Sequence, residues 1–140
     1  MTTIIRPNFR KPGLAGAVLR EIATLMDQFV RTGVGGIIDL RSLPLTDFER
    51  FELAEKLGDG EVRASVNAGG ISTVFETKFA GVWWVRHEGT EGQVAAEQIV
   101  IARVPDILLA HPSDISAAQA RLNTLLARSE EGQPEEATNG

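Results

Sequence analysis

Cysteine is absent from the 140-residue chain. That alone removes disulfide frameworks, thiolate zinc sites, iron–sulfur ligation and cysteine nucleophiles, and it suits a reducing compartment. Histidine is scarce. His87 and His111 are the whole supply, and neither stands in an H-x-x-x-H or H-E-x-x-H pattern that would point to a metal. Long apolar runs are missing too: the longest, such as Ile99–Ala102 and Ile107–Ala110, fall far short of the roughly 20 residues a membrane span needs. Met1–Lys11 carries positive charge without an apolar stretch of leader length behind it. The expectation is a cytoplasmic protein with no membrane association.

Charge of one sign is also scarce once it is located along the chain. The net charge is −5, but Ser129–Gly140 holds Glu130, Glu131, Glu135 and Glu136 with no base, so the rest of the chain is close to neutral. A neutral body without a basic stripe argues against nucleic acid as a partner. The acidic end, residues 129–140, is expected to be a solvated, disordered tail.

What remains is an ordinary globular composition, 43% hydrophobic and 24% charged. The length suits one domain whose core needs neither disulfide nor metal. Residues 1–13, with Pro7, Pro12 and Gly13, read as an extended arm, and residues 14–128 as a single domain. From Leu14, the residues Val18, Ile22, Leu25, Phe29 and Val30 recur at helical spacing, and Gly33 stops the helix. Gly35-Gly36 leads into a short strand at Ile37–Leu40. Thr46-x-x-Glu49 has the form of a capping box, followed by a helix carrying Phe48, Phe51, Ala54 (or Glu55) and Leu57 and ended by Gly58 and Gly60.

The middle of the chain has strand periodicity. Val62, Ala64, Val66 and Ala68 alternate with Glu61, Arg63, Ser65 and Asn67. Gly69-Gly70 supplies a hairpin turn, and Ile71–Thr77 returns antiparallel. A break at Phe79-Ala80-Gly81 leads to a strand at Val82–His87, and Val94–Val104 forms a fourth strand of this meander. After Pro105, His111-Pro112-Ser113 offers a cap for a last helix lined by Ile115, Ala118, Leu122, Leu125 and Leu126 to about Arg128. The fold class that follows is α+β, two-layered: a central antiparallel sheet packed against helices from both ends of the chain.

Candidate chemistry is thin. Gly33-Val34-Gly35-Gly36 lies between a helix and a strand, the reverse of the strand–glycine–helix order that cradles phosphate. There is no G-x-S-x-G and no recognisable triad context for a serine. Glu61 and Glu76 can lie near each other across the first hairpin, and with His87 they could form an acid–base set; residues of this kind are more often the ordinary wet side of a sheet. Trp83 and Trp84, adjacent on one strand, must point to opposite faces. Trp83 is expected to fill core, and Trp84 to lie less buried on the outer face as an anchor for a protein partner.

Gly58-x-Gly60-Glu61-Val62, followed by Glu76-Thr77-x-Phe79-Ala80-Gly81-Val82-Trp83, resembles the hydrogenase expression/formation proteins called HupH and HyaF. Leu43-Pro44-Leu45-Thr46, the helix into Leu57-Gly58 and the strand ending Val104-Pro105 are similar to the same family, so the likeness spans roughly Gly33 to Leu126. The resemblance implies an accessory protein for maturation of uptake nickel–iron hydrogenases. Such a protein would not be an enzyme and would carry no cofactor. It would act as a dedicated chaperone for a hydrogenase subunit precursor, the iron–sulfur small subunit by preference. The residues carried over as protein-binding candidates are Trp84, Trp83, Phe79, Glu76 and Glu61. Gly81 has a structural reading beside this one, as a tight entry into a strand. Two competing readings stand beside the chaperone: a scaffold that self-associates as a homodimer, and an acid–base enzyme built on Glu61, Glu76 and His87.

Overall fold

The computed structural model describes residues 13–67 and 69–132. The chain divides after Asp106 into two compact units. The first holds helix α1 (Leu14–Thr32), strand β1 (Gly36–Asp39), helix α2 (Asp47–Leu57) and strands β2 (Arg63–Asn67), β3 (Ile71–Glu76), β4 (Val82–Glu88) and β5 (Val94–Ile101). The second holds helix α3, Pro112–Gly132. Among the described residues the strands form one five-stranded sheet, ordered β1-β5-β4-β3-β2 and antiparallel at every contact. The fold is α+β, with helices at both ends of the chain.

The local signals in the sequence explain most of the element boundaries. Gly33 closes α1 in the left-handed region at φ 78°, its N–H donating to the Phe29 carbonyl at 2.8 Å. The capping box of α2 is complete: Thr46 Oγ1 accepts from the Glu49 N–H at 3.1 Å while Glu49 Oε1 accepts from the Thr46 N–H at 3.1 Å. The second oxygen of Glu49 reaches further. It accepts the N–H of Leu14 at 2.9 Å, so one carboxylate satisfies orphan donors at the start of both α1 and α2. These contacts hold the Glu49 carboxyl below its ordinary value of 4.5, chiefly through the Thr46 N–H and next through that of Leu14. The β2–β3 hairpin turns at Gly69-Gly70, both at positive φ.

The meander β2–β5 follows the sequence alternation, but β5 ends at Ile101, before the expected Val104. Strand β1 closes the sheet at the far edge, with Ile38 opposite Ile99. The helices α1 and α2 lie on one face of the sheet. Their Ala15, Val18, Ile22, Leu53 and Leu57 form one buried cluster with Leu40, Val82, Trp84, Ile99 and Ile101. On α2 the buried positions are Leu53 and Leu57, whereas Phe48 and Phe51 are 72% and 62% exposed. Two apolar stripes compete on this helix. The leucines take the buried face because they pack into the cluster over the sheet, and the bond from Leu14 to Glu49 is made in that same rotation.

The unit beginning at Ile107 is built around α3. Its first turn is anchored by His111, whose carbonyl accepts from the N–H groups of Asp114 and Ile115 at 2.9 and 3.0 Å. The helix passes Arg128 and continues through Ser129 to Gly132. The remainder of the expected tail, 133–140, and residues 1–12 of the expected arm lie outside the described residues.

Candidate protein-binding groove

A row of side chains crosses the helix-side face of the sheet, Ile38–Ile99–Trp84–Phe75–Arg63, one from each strand. Helices α1 and α2 seal its first half, so Ile99 is fully buried. Beyond Trp84 the cover stops. The Phe75 and Trp84 rings stack with centroids 6.1 Å apart and planes at 9°, and the Arg63 guanidinium sits 4.8 Å above Phe75. A cation over an aromatic face is an electrostatically favourable lid for an exposed ring.

The next row along the same face is Glu97–Arg86–Thr73–Ser65. Alternation places Glu97 on the inward face of β5, in phase with Ile99 and Ile101, and it is 4% exposed. A carboxylate there needs partners, and both its oxygens have one. Trp84 Nε1 donates to Oε2 at 2.8 Å, and Arg50 of α2 reaches Oε1 as an ion pair. The indole is thereby fixed by a hydrogen bond at one edge and a stacked ring on its face.

Above this floor lies an open groove of about 530 Å³ between α2 and strands β2 to β5, walled by Asp47, Arg50, Phe51, Arg63, Arg86 and Glu88. Its three arginines are balanced by Asp47, Glu88 and Glu97. The groove lining therefore carries no formal net charge to favour a phosphate or a metal ion. Aromatic rings and arginines around a desolvated floor are instead the composition of protein-recognition hot spots.

The sequence-derived candidates divide between this groove and other places. Trp84 is in the groove, but as its floor. The expectation that Trp84 is the less buried tryptophan is overturned, since both tryptophans are 4% exposed. They do point to opposite faces, and Trp84 takes the helix side because its register partners are Ile99 and Phe75. Trp83 lies on the other face beside Val100 and Glu76, with Nε1 donating to the Ala102 carbonyl at 3.0 Å.

Glu76 ends β3, Phe79 and Gly81 belong to the turn between β3 and β4, and there the motif shapes the backbone. Glu76 Oε2 accepts the Gly81 N–H at 3.3 Å. Buried Thr77 donates through Oγ1 to the Val82 carbonyl at 2.9 Å and accepts from the Phe79 N–H at 3.1 Å. The turn is tied to the end of α2 by the Lys78 N–H on the Leu57 carbonyl, 2.9 Å, and by the Gly60 N–H on the Glu76 carbonyl, 2.7 Å. A Cβ on Gly60 would stand 2.4 Å from the Thr77 carbonyl oxygen, so only glycine allows this approach. Phe79 is half exposed at the tip of the turn.

Glu61 and Glu76 are neighbours, since the Gly60 N–H donates to the Glu76 carbonyl at 2.7 Å and the Glu76 N–H to the Val62 carbonyl at 2.9 Å. His87 is not brought to them. Glu61 is exposed ahead of β2. Glu76 is opposite Trp83 and His87 opposite Ser72, a four-residue offset of about 13 Å along the strands. His87 Nδ1 instead lies 2.6 Å from Ser72 Oγ. Arg50, Phe51, Phe75 and Glu97 line the groove but are not among the sequence-derived candidates. One signal was available: Glu97 stands at the inward phase of an otherwise apolar strand, where a charge calls for a buried partner.

Comparison with known proteins fits this architecture. The family model described as "HupH hydrogenase expression protein, C-terminal conserved region" matches residues 14–128. The chain is 28% identical over 109 residues to the hydrogenase expression/formation protein HoxQ of Azotobacter vinelandii, covering 74% of this chain and 38% of that protein. With the hydrogenase expression/formation protein HupQ of Azotobacter chroococcum it shares 27% identity over 114 residues, 77% of this chain and 39% of that one. The chain thus spans less than half the length of these curated relatives. In three dimensions it is similar to the hydrogenase expression protein HupH from Thiobacillus denitrificans, with a TM-score of 0.80 and 39% identity over 83% of this chain and 97% of that one. On the family match and this structural likeness together, the chain belongs to the HupH hydrogenase expression protein family, as its C-terminal conserved region.

Proposed function

We propose that this chain is a non-enzymatic, chaperone-like accessory domain in nickel–iron hydrogenase maturation, and that it holds a subunit precursor, the iron–sulfur small subunit, in the groove beside α2. Family membership gives the role in hydrogenase expression. The observation that carries the finer reading is the exposed Phe51 standing over a floor of stacked Phe75 and Trp84 locked by Glu97 and Arg50. A rigid aromatic floor limits the ordering cost of binding. Balanced charge around it tolerates a segment of mixed composition. A holding role of this kind belongs in the cytoplasm, before the precursor is exported. Among the described residues no helix is long and apolar enough to cross a membrane.

The test is direct binding of purified small-subunit precursor to the wild-type chain and to Phe51→Glu. Because Phe51 is exposed, the substitution leaves the fold intact. A central aromatic anchor carries about 2 kcal/mol or more, so affinity should fall by roughly thirtyfold or more. Wild-type chain that binds no precursor would refute the partner. Precursor that binds both forms equally would refute the groove.

A further inference from the structure

Helix α3 has a feature that the groove does not use. Ile115, Ala118, Leu122 and Leu125 recur at heptad spacing, with Leu126 beside them, and the four large residues are 53–61% exposed. A helix with an apolar stripe needs a surface to bury it, and isolated helices of modest length are marginal in water. The charges flanking this stripe indicate what the surface is. Asp114, Arg121 and Arg128 follow one another at intervals of seven along a single flank of the seam.

We propose that α3 is a self-association element, in which two copies of this chain pair their third helices antiparallel. Setting Ile115 against Leu125 of the second copy also sets Ala118 against Leu122. A large residue then meets a small one in the middle of the seam. In that register Asp114 of each chain faces Arg128 of the other, giving two opposite-charge pairs. Arg121 meets its own counterpart at the two-fold axis, one exposed like-charge contact against the two attractive ones. A parallel pair has no such match, because the flank would face the uncharged Gln119 and Leu126. Antiparallel helices also oppose their macrodipoles favourably. The seam from Ile115 to Leu126 is only about 16 Å long, short of a standard interface. The dimer is therefore a weak one that forms at micromolar concentrations and dissociates on dilution. This inference does not rest on the hydrogenase reading.

Sedimentation equilibrium of the full chain across that concentration range tests it. The expected result is a monomer–dimer equilibrium abolished by Leu122→Glu and weakened several-fold by Asp114→Arg or Arg128→Asp alone. Combining the two charge reversals should restore dimerisation, which a merely misfolded variant cannot do. Since the chain has no cysteine, single introduced thiols report the register. Arg121→Cys should cross-link at the two-fold axis, and Ser129→Cys should not. A chain that stays monomeric throughout would overturn the proposal and assign the stripe to another surface. So would a dimer indifferent to Leu122→Glu, a double charge reversal that fails to rescue, or preferential cross-linking at position 129.

Discussion

The helix-side face of the sheet is two surfaces in one. Toward β1 it is dry: Val82, Ile99 and Ile101 are closed over by Leu53, Leu57, Val18 and Ile22. Toward β2 it is open, with Glu97, Arg86, Thr73 and Arg63 lining a groove. Trp84 stands at the boundary and belongs to both, counted in the apolar cluster and bonded to Glu97. The difference shows how a small domain keeps an open groove from collapsing. The dry half supplies stability. On the other half a buried carboxylate, satisfied from both sides, replaces packing with a fixed polar floor.

Three experiments would sharpen or break that division. The largest effect is expected at the boundary. Trp84→Ala removes a side chain that both halves share and should cost about 3–5 kcal/mol of unfolding free energy, read from urea melts. A loss as small as that of a surface substitution would mean that the halves are independent. Next comes Glu97→Ala, which strands the Trp84 N–H and the Arg50 guanidinium. Arg50 is partly exposed and can recover water, so the expected loss is about 1–3 kcal/mol. A neutral result would show that the polar floor contributes nothing to the fold.

The smallest effect concerns Glu49, which clasps the dry half from outside. Its carboxyl is lowered in the folded chain, so the unfolded chain binds the proton more readily. Its contribution is present above the ordinary carboxylate value of 4.5 and is lost as pH falls through the lower folded value. The melting temperature of the wild type should accordingly drop below pH 4.5 more steeply than that of Glu49→Gln. Parallel curves would remove the clasp from the account.

The contrast also marks what could be read from the sequence. Elements fixed by neighbours in the chain were legible: the helix stopped at Gly33, the capping box at Thr46 and Glu49, and the turn at Gly69-Gly70. So was the opposition of Trp83 and Trp84, which follows from strand geometry alone. Which tryptophan faces the helices was not, because that depends on the phase of β4 against Ile99 and Phe75, and register is a tertiary property. The same holds for α2, where Phe48 and Phe51 compete with Leu53 and Leu57 and packing against the assembled sheet decides between them. The groove was hardest to see. Arg50, Glu97 and Trp84 meet only after the sheet has assembled. The motif that announces the family, Glu76 to Trp83, shapes a turn rather than the groove.

The place of β1 in the sheet has a consequence for how the chain is made. Strands β2 to β5 pair with their neighbours in sequence and form as successive local hairpins on a microsecond scale of about 1–10 μs each. Strand β1 is synthesised before them all, yet its sole partner among the described residues is β5, the last of the strands to emerge. Until β5 is in place, α1 has no completed sheet beneath it. Closing that long loop is the slow, entropically costly event. The pairing of β1 with β5 therefore completes the sheet only after the rest of the meander is in place.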